Sequence, residues 1–286
     1  MTNVHHHTVT IDGLEVFYRE AGPQDAPVLL LLHGYPTSSH MFRHLIPALA
    51  DRYRVIAPDH IGFGRSSAPS ADDFTYTFDA LTDVTSSFLE AVGVTSYTVY
   101  VQDYGAPIAW RLALASPEAV EGVISQNGNA YEEGFVSEFW EPIWAYGADP
   151  SPAHEAALRP ALAREAIEWQ YTHGVPDTSL IAPDAWEHDI ALMAREGIDR
   201  AQLALFADYV SNRDLYPQVH DWLRSSGVPV LAIWGKNDEI FGAAGASAFR
   251  KDSPHARVEL LDGGHFLLES HLDDVVRIIR DWRGTF

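Results

Sequence analysis

The chain has 286 residues, 47% of them hydrophobic, so it can bury the core of one full-sized domain that carries an inserted subdomain. It has 19 Lys and Arg against 40 Asp and Glu, and its net charge of −21 would repel nucleic-acid phosphates and anionic lipid headgroups. It contains no cysteine, which excludes disulfides, thiolate metal sites and thiol nucleophiles.

The N-terminal residues predict a hairpin and no targeting segment. Met1–Thr10 lack the apolar stretch of a signal peptide, and no apolar run is long enough to span a bilayer. We therefore expect a cytoplasmic protein that binds neither nucleic acid nor membrane. Alternating residues flank Asp12-Gly13, so His7–Ile11 and Leu14–Arg19 are predicted as antiparallel strands. We expect no metal site at the histidine run His5–His7.

Strand and helix patterns alternate from residue 28 to residue 125. The uninterrupted apolar runs are typical of strands that are covered on both faces of a sheet. Alternation of such strands with helices predicts a parallel α/β sheet. The predicted strands are Val28–Leu32, Tyr53–Ala57, Tyr97–Val101 and Val120–Ser125, and the predicted helices are Met41–Ala50, Phe78–Val92 and Pro107–Ala115.

The alternation stops at Ala130, and up to Ser226 the sequence shows helical patterns without a strand. Strand patterns then return twice before a closing helix. We therefore predict a core domain of residues 1–129 and 227–286, with an inserted helical cap of residues 130–226. The predicted cap helices are Phe135–Tyr146, Pro160–Tyr171, Ala185–Ala194 and Leu203–Tyr209, and the later elements are strands Pro229–Trp234 and Arg257–Leu261 and helix Leu268–Trp282.

Three polar residues follow predicted strands in the chain order nucleophile, acid, base. Asp103 sits in Val-Gln-Asp-Tyr-Gly-Ala, which matches a nucleophile elbow with aspartate in place of serine. Asp238 follows the penultimate strand and His265 follows the last one. Taken singly, they could be a helix cap, a turn residue and a surface or core histidine. Their joint order favours a catalytic triad.

The loop His33-Gly34-Tyr35-Pro36 follows the first apolar strand and predicts half of an oxyanion hole. Elbow enzymes take one N–H donor from the residue after the nucleophile and another from this early loop. The backbone N–H groups of Tyr104 and Tyr35 are therefore the predicted donors. His33 is predicted to be a structural hydrogen-bonding residue.

These motifs resemble the branch of the α/β-hydrolase fold that contains haloalkane dehalogenases and epoxide hydrolases. The resemblance rests on the His-Gly-x-Pro loop, the aspartate elbow, the loop Pro58–Ser66, and the Gly-Lys-Asn-Asp and Gly-Gly-His sequences after the last two strands. It implies an α/β-hydrolase fold with a mostly parallel sheet, an antiparallel N-terminal hairpin and a helical cap. We expect no cofactor and no metal, a small apolar organic substrate with water, and a monomer or homodimer.

An aspartate nucleophile points to attack on an alkyl carbon. A serine would leave an ether there, whereas a carboxylate leaves an ester that water can cleave. His265 would activate that water, and Asp238 would hold the imidazole in orientation. The predicted leaving group is therefore a halide or an epoxide oxygen.

The residues around Asp103 help to distinguish a halide from an epoxide oxygen as the leaving group. Haloalkane dehalogenases usually hold the halide with a Trp after the nucleophile and a second Trp or Asn, where this chain has Tyr104 and Tyr35. Epoxide hydrolases protonate the leaving oxygen with cap tyrosines, and by resemblance the candidates are Tyr209 and Tyr146, although Tyr104 departs from their usual Trp as well. Epoxide hydrolysis is the favoured prediction. The alternatives are dehalogenation and, in another class, a catalytically silent ligand-binding protein.

Overall fold

The computed structural model describes residues 3–283, and eight strands in this range form one sheet. The strands are β1 (His5–Ile11), β2 (Leu14–Ala21), β3 (Val28–Leu32), β4 (Arg54–Pro58), β5 (Tyr97–Gln102), β6 (Val120–Gln126), β7 (Val230–Gly235) and β8 (Arg257–Leu261). Their order is β1-β2-β4-β3-β5-β6-β7-β8. The pairs β1/β2 and β2/β4 are antiparallel and the others are parallel. The predicted mostly parallel sheet with an antiparallel N-terminal hairpin is confirmed.

Helices cover both faces of the sheet. They are α1 (Leu45–Leu49), α2 (Phe78–Ala91), α3 (Gly105–Ala115), α4 (Ser137–Ala148), α5 (Pro152–Leu158), α6 (Arg164–Thr172), α7 (Pro183–Met193), α8 (Ile198–Asp208), α9 (Val210–Ser226), α10 (Ala243–Ala248), α11 (Leu267–Ser270) and α12 (Leu272–Arg283). Short 3₁₀ turns lie at Ser39–Phe42, Pro117–Ala119, Glu132–Gly134, Arg159–Leu162, Thr178–Leu180 and Phe249–Lys251.

Proline explains two departures from the predicted helices. The helix predicted over Met41–Ala50 is split into a 3₁₀ turn and α1. Pro47 lacks the N–H that a continuous helix would donate to the carbonyl of Arg43, and its ring would meet that carbonyl. The helix predicted from Pro160 likewise begins as a 3₁₀ turn and becomes α-helical at Arg164.

The other departures concern the closing helix, which is divided, and helices α5, α9 and α10, which were not predicted. The closing helix predicted over Leu268–Trp282 is divided at His271 into α11 and α12. Sequence patterns also missed α9, where Pro217 argues against a helix. The structure continues α9 through Pro217 because buried side chains on both sides of it, including Tyr216 and Val219, anchor the helix.

The core forms two apolar clusters, one on each face of the sheet. Strand β3 contributes side chains to both clusters, since Leu30 and Leu32 belong to one and Leu29 and Leu31 to the other. Alternate residues of a strand point to opposite faces. An unbroken apolar run is therefore what a strand covered on both sides requires.

Six helices, α4 to α9, lie between β6 and β7, and we call them the cap helices. They reach the strand ends through bonds such as that from Trp140 Nε1 to the carbonyl of Ile240 (2.7 Å) and that from the Tyr35 hydroxyl to the carbonyl of Ala161 (2.9 Å). The limits predicted for the cap, residues 130 and 226, stay a prediction. None of the helices within residues 3–283 has the length and apolar character to cross a membrane.

Candidate active site

The carboxyl ends of the parallel strands bring three predicted residues together. Asp103 follows β5, Asp238 lies just beyond β7, and His265 lies in the loop after β8. His265 Nδ1 is 2.8 Å from Asp238 Oδ2, and His265 Nε2 is 3.5 Å from Asp103 Oδ2. All three side chains are buried. The spacing is that of a nucleophile, base and acid, and the catalytic roles stay predictions.

The turn that presents Asp103 is tight and strained. Asp103 has φ +49°, a left-handed conformation that is uncommon for a residue other than glycine. Glycine is required on two sides of it. A Cβ at Gly34 would collide with the Asp103 side chain, and a Cβ at Gly105 would collide with the carbonyl of Leu32. The His-Gly loop and the start of α3 can therefore close on the carboxylate.

The two oxygens of the Asp103 carboxylate have different surroundings. Oδ1 accepts hydrogen bonds from the backbone N–H groups of Tyr35 (3.1 Å) and Tyr104 (2.5 Å), whereas Oδ2 faces His265. The N-cap position of α3 is Tyr104, and no side chain makes a capping hydrogen bond there. Asp103 therefore does not act as the helix cap that its residue type also allowed, and Oδ1 occupies the place predicted for an oxyanion.

Asp238 is fixed by a residue that the sequence analysis missed. Asn127 Nδ2 donates to Asp238 Oδ2 (2.7 Å), and Asn127 Oδ1 accepts from the N–H of Gly235 (3.0 Å). The N–H of Ile240 donates to the other oxygen, Oδ1 (2.7 Å). Asn127 directly follows β6, so its position at a strand end was a usable signal. Its φ of +47° suits asparagine better than most residues.

Charge balance at His265 favours its protonated form. Burial alone lowers its pKa, but the carboxylates of Asp238 and Asp103 outweigh burial and raise the pKa to about 10. Gln102 Nε2 lies 2.7 Å from His265 Nε2, while Gln102 Oε1 has no partner within residues 3–283. Rotation of this amide by 180° would turn its oxygen toward a protonated ring, so Gln102 can meet either protonation state.

A narrow, nearly closed cavity of about 10 Å³ lies between Asp103 and the cap helices. Ligand pockets usually enclose about 300–1,000 Å³, so side chains of the wall must move apart before a substrate can bind. Its wall is mainly aromatic and aliphatic, formed by Tyr35, Asp103, Tyr104, Phe139, Trp140, Ile143, Gln170, Phe206 and Ile240. A second, still tighter gap lies beside His265 and Asp238 and shares the wall residues Gln170 and Ile240.

The two predicted cap tyrosines lie outside the cavity wall. The Tyr209 ring packs 5.8 Å from the Tyr104 ring and 4.4 Å from the Trp140 ring, one layer behind the cavity. Tyr146 is not part of the wall either, and burial and then the charge of Glu155 raise its pKa. The structure therefore brings Tyr209 near the site and does not bring Tyr146 there. Their predicted role as proton donors stays a prediction.

Two further polar side chains of the wall were also missed. Gln170 lies on the buried face of α6, beside Ile167 and Tyr171. A polar residue at that helical spacing was its only signal in the sequence. Trp140 is apolar filler by pattern, and the structure shows its indole N–H donating to the carbonyl of Ile240. Among the residues that the structure describes, no group of His, Asp or Glu is arranged to hold a metal ion.

Comparison with known proteins gives matches over nearly the whole chain. A family model described as alpha/beta hydrolase fold matches residues 27–272. An uncharacterized hydrolase of Saccharomyces cerevisiae is 44% identical over 91% of this chain and 90% of its own length. A haloalkane dehalogenase of Bradyrhizobium diazoefficiens is 44% identical over 94% and 91%. The solved structure of an epoxide hydrolase, CorEH, superposes with a TM-score of 0.79 at 20% identity over 99% of each chain, a likeness of fold alone.

Proposed function

The chain belongs to the α/β-hydrolase family, and we propose that it hydrolyses small epoxides through an alkyl-enzyme ester on Asp103. The predicted branch of the family and the prediction of a hydrolytic enzyme are confirmed by the relatives. A catalytically silent receptor is set aside on that ground. Which leaving group the enzyme accepts belongs to the proposal.

The proposal rests on the different hydrogen-bond partners of the two Asp103 oxygens. Oδ1 is held by the N–H groups of Tyr35 and Tyr104, so Oδ2 is the oxygen with a free path to substrate. Attack by Oδ2 on a ring carbon forms a C–O ester bond and breaks the ring C–O bond. The ester carbonyl is then Oδ1, already between two donors that can stabilise a tetrahedral intermediate.

Tyrosine chemistry at the cavity supports an epoxide as substrate. The departing oxygen needs a proton, and the Tyr104 hydroxyl is buried with no hydrogen-bond partner in the described part of the chain. Burial, followed by the charge of Asp103, raises the pKa of Tyr104 well above its usual value of 10. The hydroxyl therefore keeps its proton at neutral pH. Neighbouring atoms cover it in the resting structure, so the substrate must displace them before the hydroxyl can donate its proton to the developing alkoxide.

The same wall offers little to a halide. Trp140 has the one indole N–H on the cavity wall, and that N–H is already bound to the carbonyl of Ile240. Dehalogenation remains the second candidate because of the dehalogenase relative and because Gln170 brings an amide to the cavity. An amide N–H can bind a halide without transferring a proton.

Hydrolysis of the ester restores the enzyme. Formation of the ester removes the negative charge of Asp103, which is one of the charges that hold the proton on His265. The pKa of His265 therefore falls at the stage at which a neutral base is required. The proton that His265 loses at this stage reprotonates the Tyr104 phenolate left by ring opening. Neutral His265 then takes a proton from water as the water attacks the ester carbon, and gives it to the departing alcohol. The proton of the regenerated Asp103 carboxyl finally returns to His265. Asp238 keeps Nδ1 protonated throughout.

A paired substrate panel tests the proposal. Wild-type protein is incubated with epoxides and haloalkanes of two to six carbons, and diol formation and halide release are measured. The His265→Gln variant is then examined by mass spectrometry, where an epoxide should add its whole mass to Asp103 and remain attached. Asp103→Ala is the matched control and should show no adduct. Halide release without diol would overturn epoxide hydrolysis, and turnover of carboxylic esters alone would overturn the alkyl-enzyme route.

A further inference from the structure

Gln170 is a buried polar side chain that faces the reaction space without a protein partner. The residue is 4% exposed and lies on α6. It contributes to the wall of the cavity at Asp103 and to the wall of the space beside His265. No hydrogen bond of its side-chain amide occurs among residues 3–283, and its amide atoms are not sealed in by neighbouring atoms. Its polar group therefore opens onto the cavity.

Two other buried amides around the triad are fully paired, and a third, that of Gln102, has one unpaired atom. The Gln126 side chain accepts from the hydroxyl of Tyr100 and donates to the carbonyl of His265. Asn127 uses both of its amide atoms. A buried amide without partners destabilises the folded protein. An open amide at this place is explained by a partner that arrives with the substrate.

The geometry of displacement by Asp103 indicates which atom of the substrate is the partner of the Gln170 amide. Asp103 attacks from the core side of the cavity, and displacement at an alkyl carbon sends the leaving atom to the opposite side. That side is formed by the cap residues of the wall, which are Phe139, Trp140, Ile143, Gln170 and Phe206. Three of these are apolar, and the N–H of Trp140 is bound to the protein. Gln170 is thus the cap residue of this wall with a free hydrogen-bond donor.

We propose that Gln170 Nε2 donates a hydrogen bond to the leaving atom while Asp103 displaces it. The inference rests on the proposed alkyl-enzyme mechanism. Gln170 keeps its own protons, because an amide is too weak an acid to release them at neutral pH. When the leaving atom is an epoxide oxygen, it takes the electron pair of the broken C–O bond and a proton from Tyr104. When it is a halide, it departs as the anion.

The experiment measures the first half-reaction alone. In the His265→Gln background the adduct accumulates, so its rate of formation reports attack by Asp103 without ester hydrolysis. Gln170→Met keeps the length of the side chain and removes the donor. We expect adduct formation to slow about ten- to a hundredfold, as expected when a hydrogen bond to a developing charge is lost. Both an epoxide and a bromoalkane of the same chain length are used.

Gln202→Met provides the matched control. Gln202 is also a buried cap glutamine whose amide has no partner in the described residues, but it lies on α8 and outside the cavity wall. Gln202→Met should raise the thermal midpoint by about 2–4 °C, since it removes a sealed, unpaired amide, and Gln170→Met should raise it by less, because an open amide can be hydrated. Only Gln170→Met should slow adduct formation. A residue that serves the fold alone would lower the midpoint instead.

The outcomes separate this inference from the proposed function. Slower adduct formation with the epoxide supports both. A slower reaction with the bromoalkane, together with no adduct from any epoxide, supports the role of Gln170 and overturns epoxide hydrolysis. Unchanged adduct rates in Gln170→Met for both substrates overturn the role of Gln170, whatever the substrate proves to be. Should Gln170→Met fold poorly, Gln170→Leu is measured in the same way.

Discussion

The strand-end loops and the cap helices are built in different ways on the two sides of one cavity. On the core side, the carboxylates of Asp103 and Asp238 and the amide of Asn127 all have defined hydrogen-bond partners. On the cap side, contacts are mostly between rings, such as the stack of Trp140 on Trp144 at 5.0 Å. Among the cap residues of the cavity wall, Gln170 is the exception, with an amide left open.

This difference assigns the reaction and the substrate to separate parts of the chain. Hydrogen bonds fix angles and distances closely, as a nucleophile, a base and an oxyanion site require. Ring packing fixes the size and shape of a space while leaving its chemistry neutral. We infer that the strand ends determine how a bond is broken, and that the cap helices determine which molecule fits.

The largest effect is expected from the core side, at Asp238. Asp238→Asn keeps the shape of the residue but removes the acceptor that holds the proton on His265 Nδ1. We expect ester hydrolysis to fall about ten-thousandfold, as when the acid of a triad is replaced by its amide, and the alkyl-enzyme to accumulate. Rapid-quench mass spectrometry of Asp103 measures both.

Asp262→Asn is the matched control for that change. Asp262 is an exposed carboxylate in the same loop as His265, paired with Lys236 and Asn237. Its replacement should leave both half-reactions within about twofold, as surface substitutions usually do. An Asp238→Asn variant that still turned over at a tenth of the wild-type rate would mean that the triad assignment is wrong.

An intermediate effect is expected where the two sides meet, at Tyr104. Tyr104→Phe removes the proposed proton donor and keeps the ring contacts with Phe78 and Tyr209. We expect epoxide ring opening to slow about a hundredfold, the lower range for loss of a general acid. Reaction with a haloalkane should be nearly unchanged, because a halide leaves without a proton. Single-turnover adduct formation in the His265→Gln background measures both.

Tyr209 and Tyr146, the cap tyrosines suggested by family resemblance, are the alternatives to Tyr104 as proton donor. If Tyr209→Phe slows ring opening more than Tyr104→Phe does, then the assignment from family resemblance is right and the proposed donor is wrong. Tyr146→Phe should change the rate by less than about twofold, because its side chain lies away from the cavity wall. A loss above tenfold there would require a rearranged cap.

The sequence predicted the core side far better than the cap side, for a physical reason. Asp103, Asp238 and His265 each follow a strand, and parallel strands bring their carboxyl ends to one edge whatever the rest of the chain does. Position along the chain was thus enough to predict that they meet. Asn127 obeys the same rule, but its amide does not ionise, so its residue type gave no acid–base signal.

No comparable rule predicts which cap residues reach the cavity. Whether Tyr209, Tyr146 or Gln170 reaches the cavity depends on where each helix begins and how it rotates on its axis. The sequence left both open, as the missed helix α9 shows. A shift of one residue turns a side chain by about 100° around a helix, so an assignment by family resemblance could bring Tyr209 near the site without bringing it to the cavity wall.

The smallest effect that we predict is a pH dependence of stability on the core side. The folded-state pKa of His265, about 10, exceeds the ordinary value of 6.5. The protonated ring therefore stabilises the fold fully below about pH 6.5, and this contribution is lost as the pH rises through 10. Relative to His265→Gln, wild-type protein should lose on the order of 2 kcal/mol of unfolding free energy between pH 7 and pH 9.

Urea unfolding at pH 7, 8 and 9 measures this difference, and His33 supplies the control. Burial lowers the pKa of His33 to about 4, so it is neutral across the whole range. The difference in unfolding free energy between wild-type protein and His33→Asn should therefore not change with pH. If the difference in unfolding free energy between wild-type protein and His265→Gln is also constant with pH, then the His265 ring is neutral in the resting enzyme. In that case Asp103 would not need to lose its charge before His265 can act as the base.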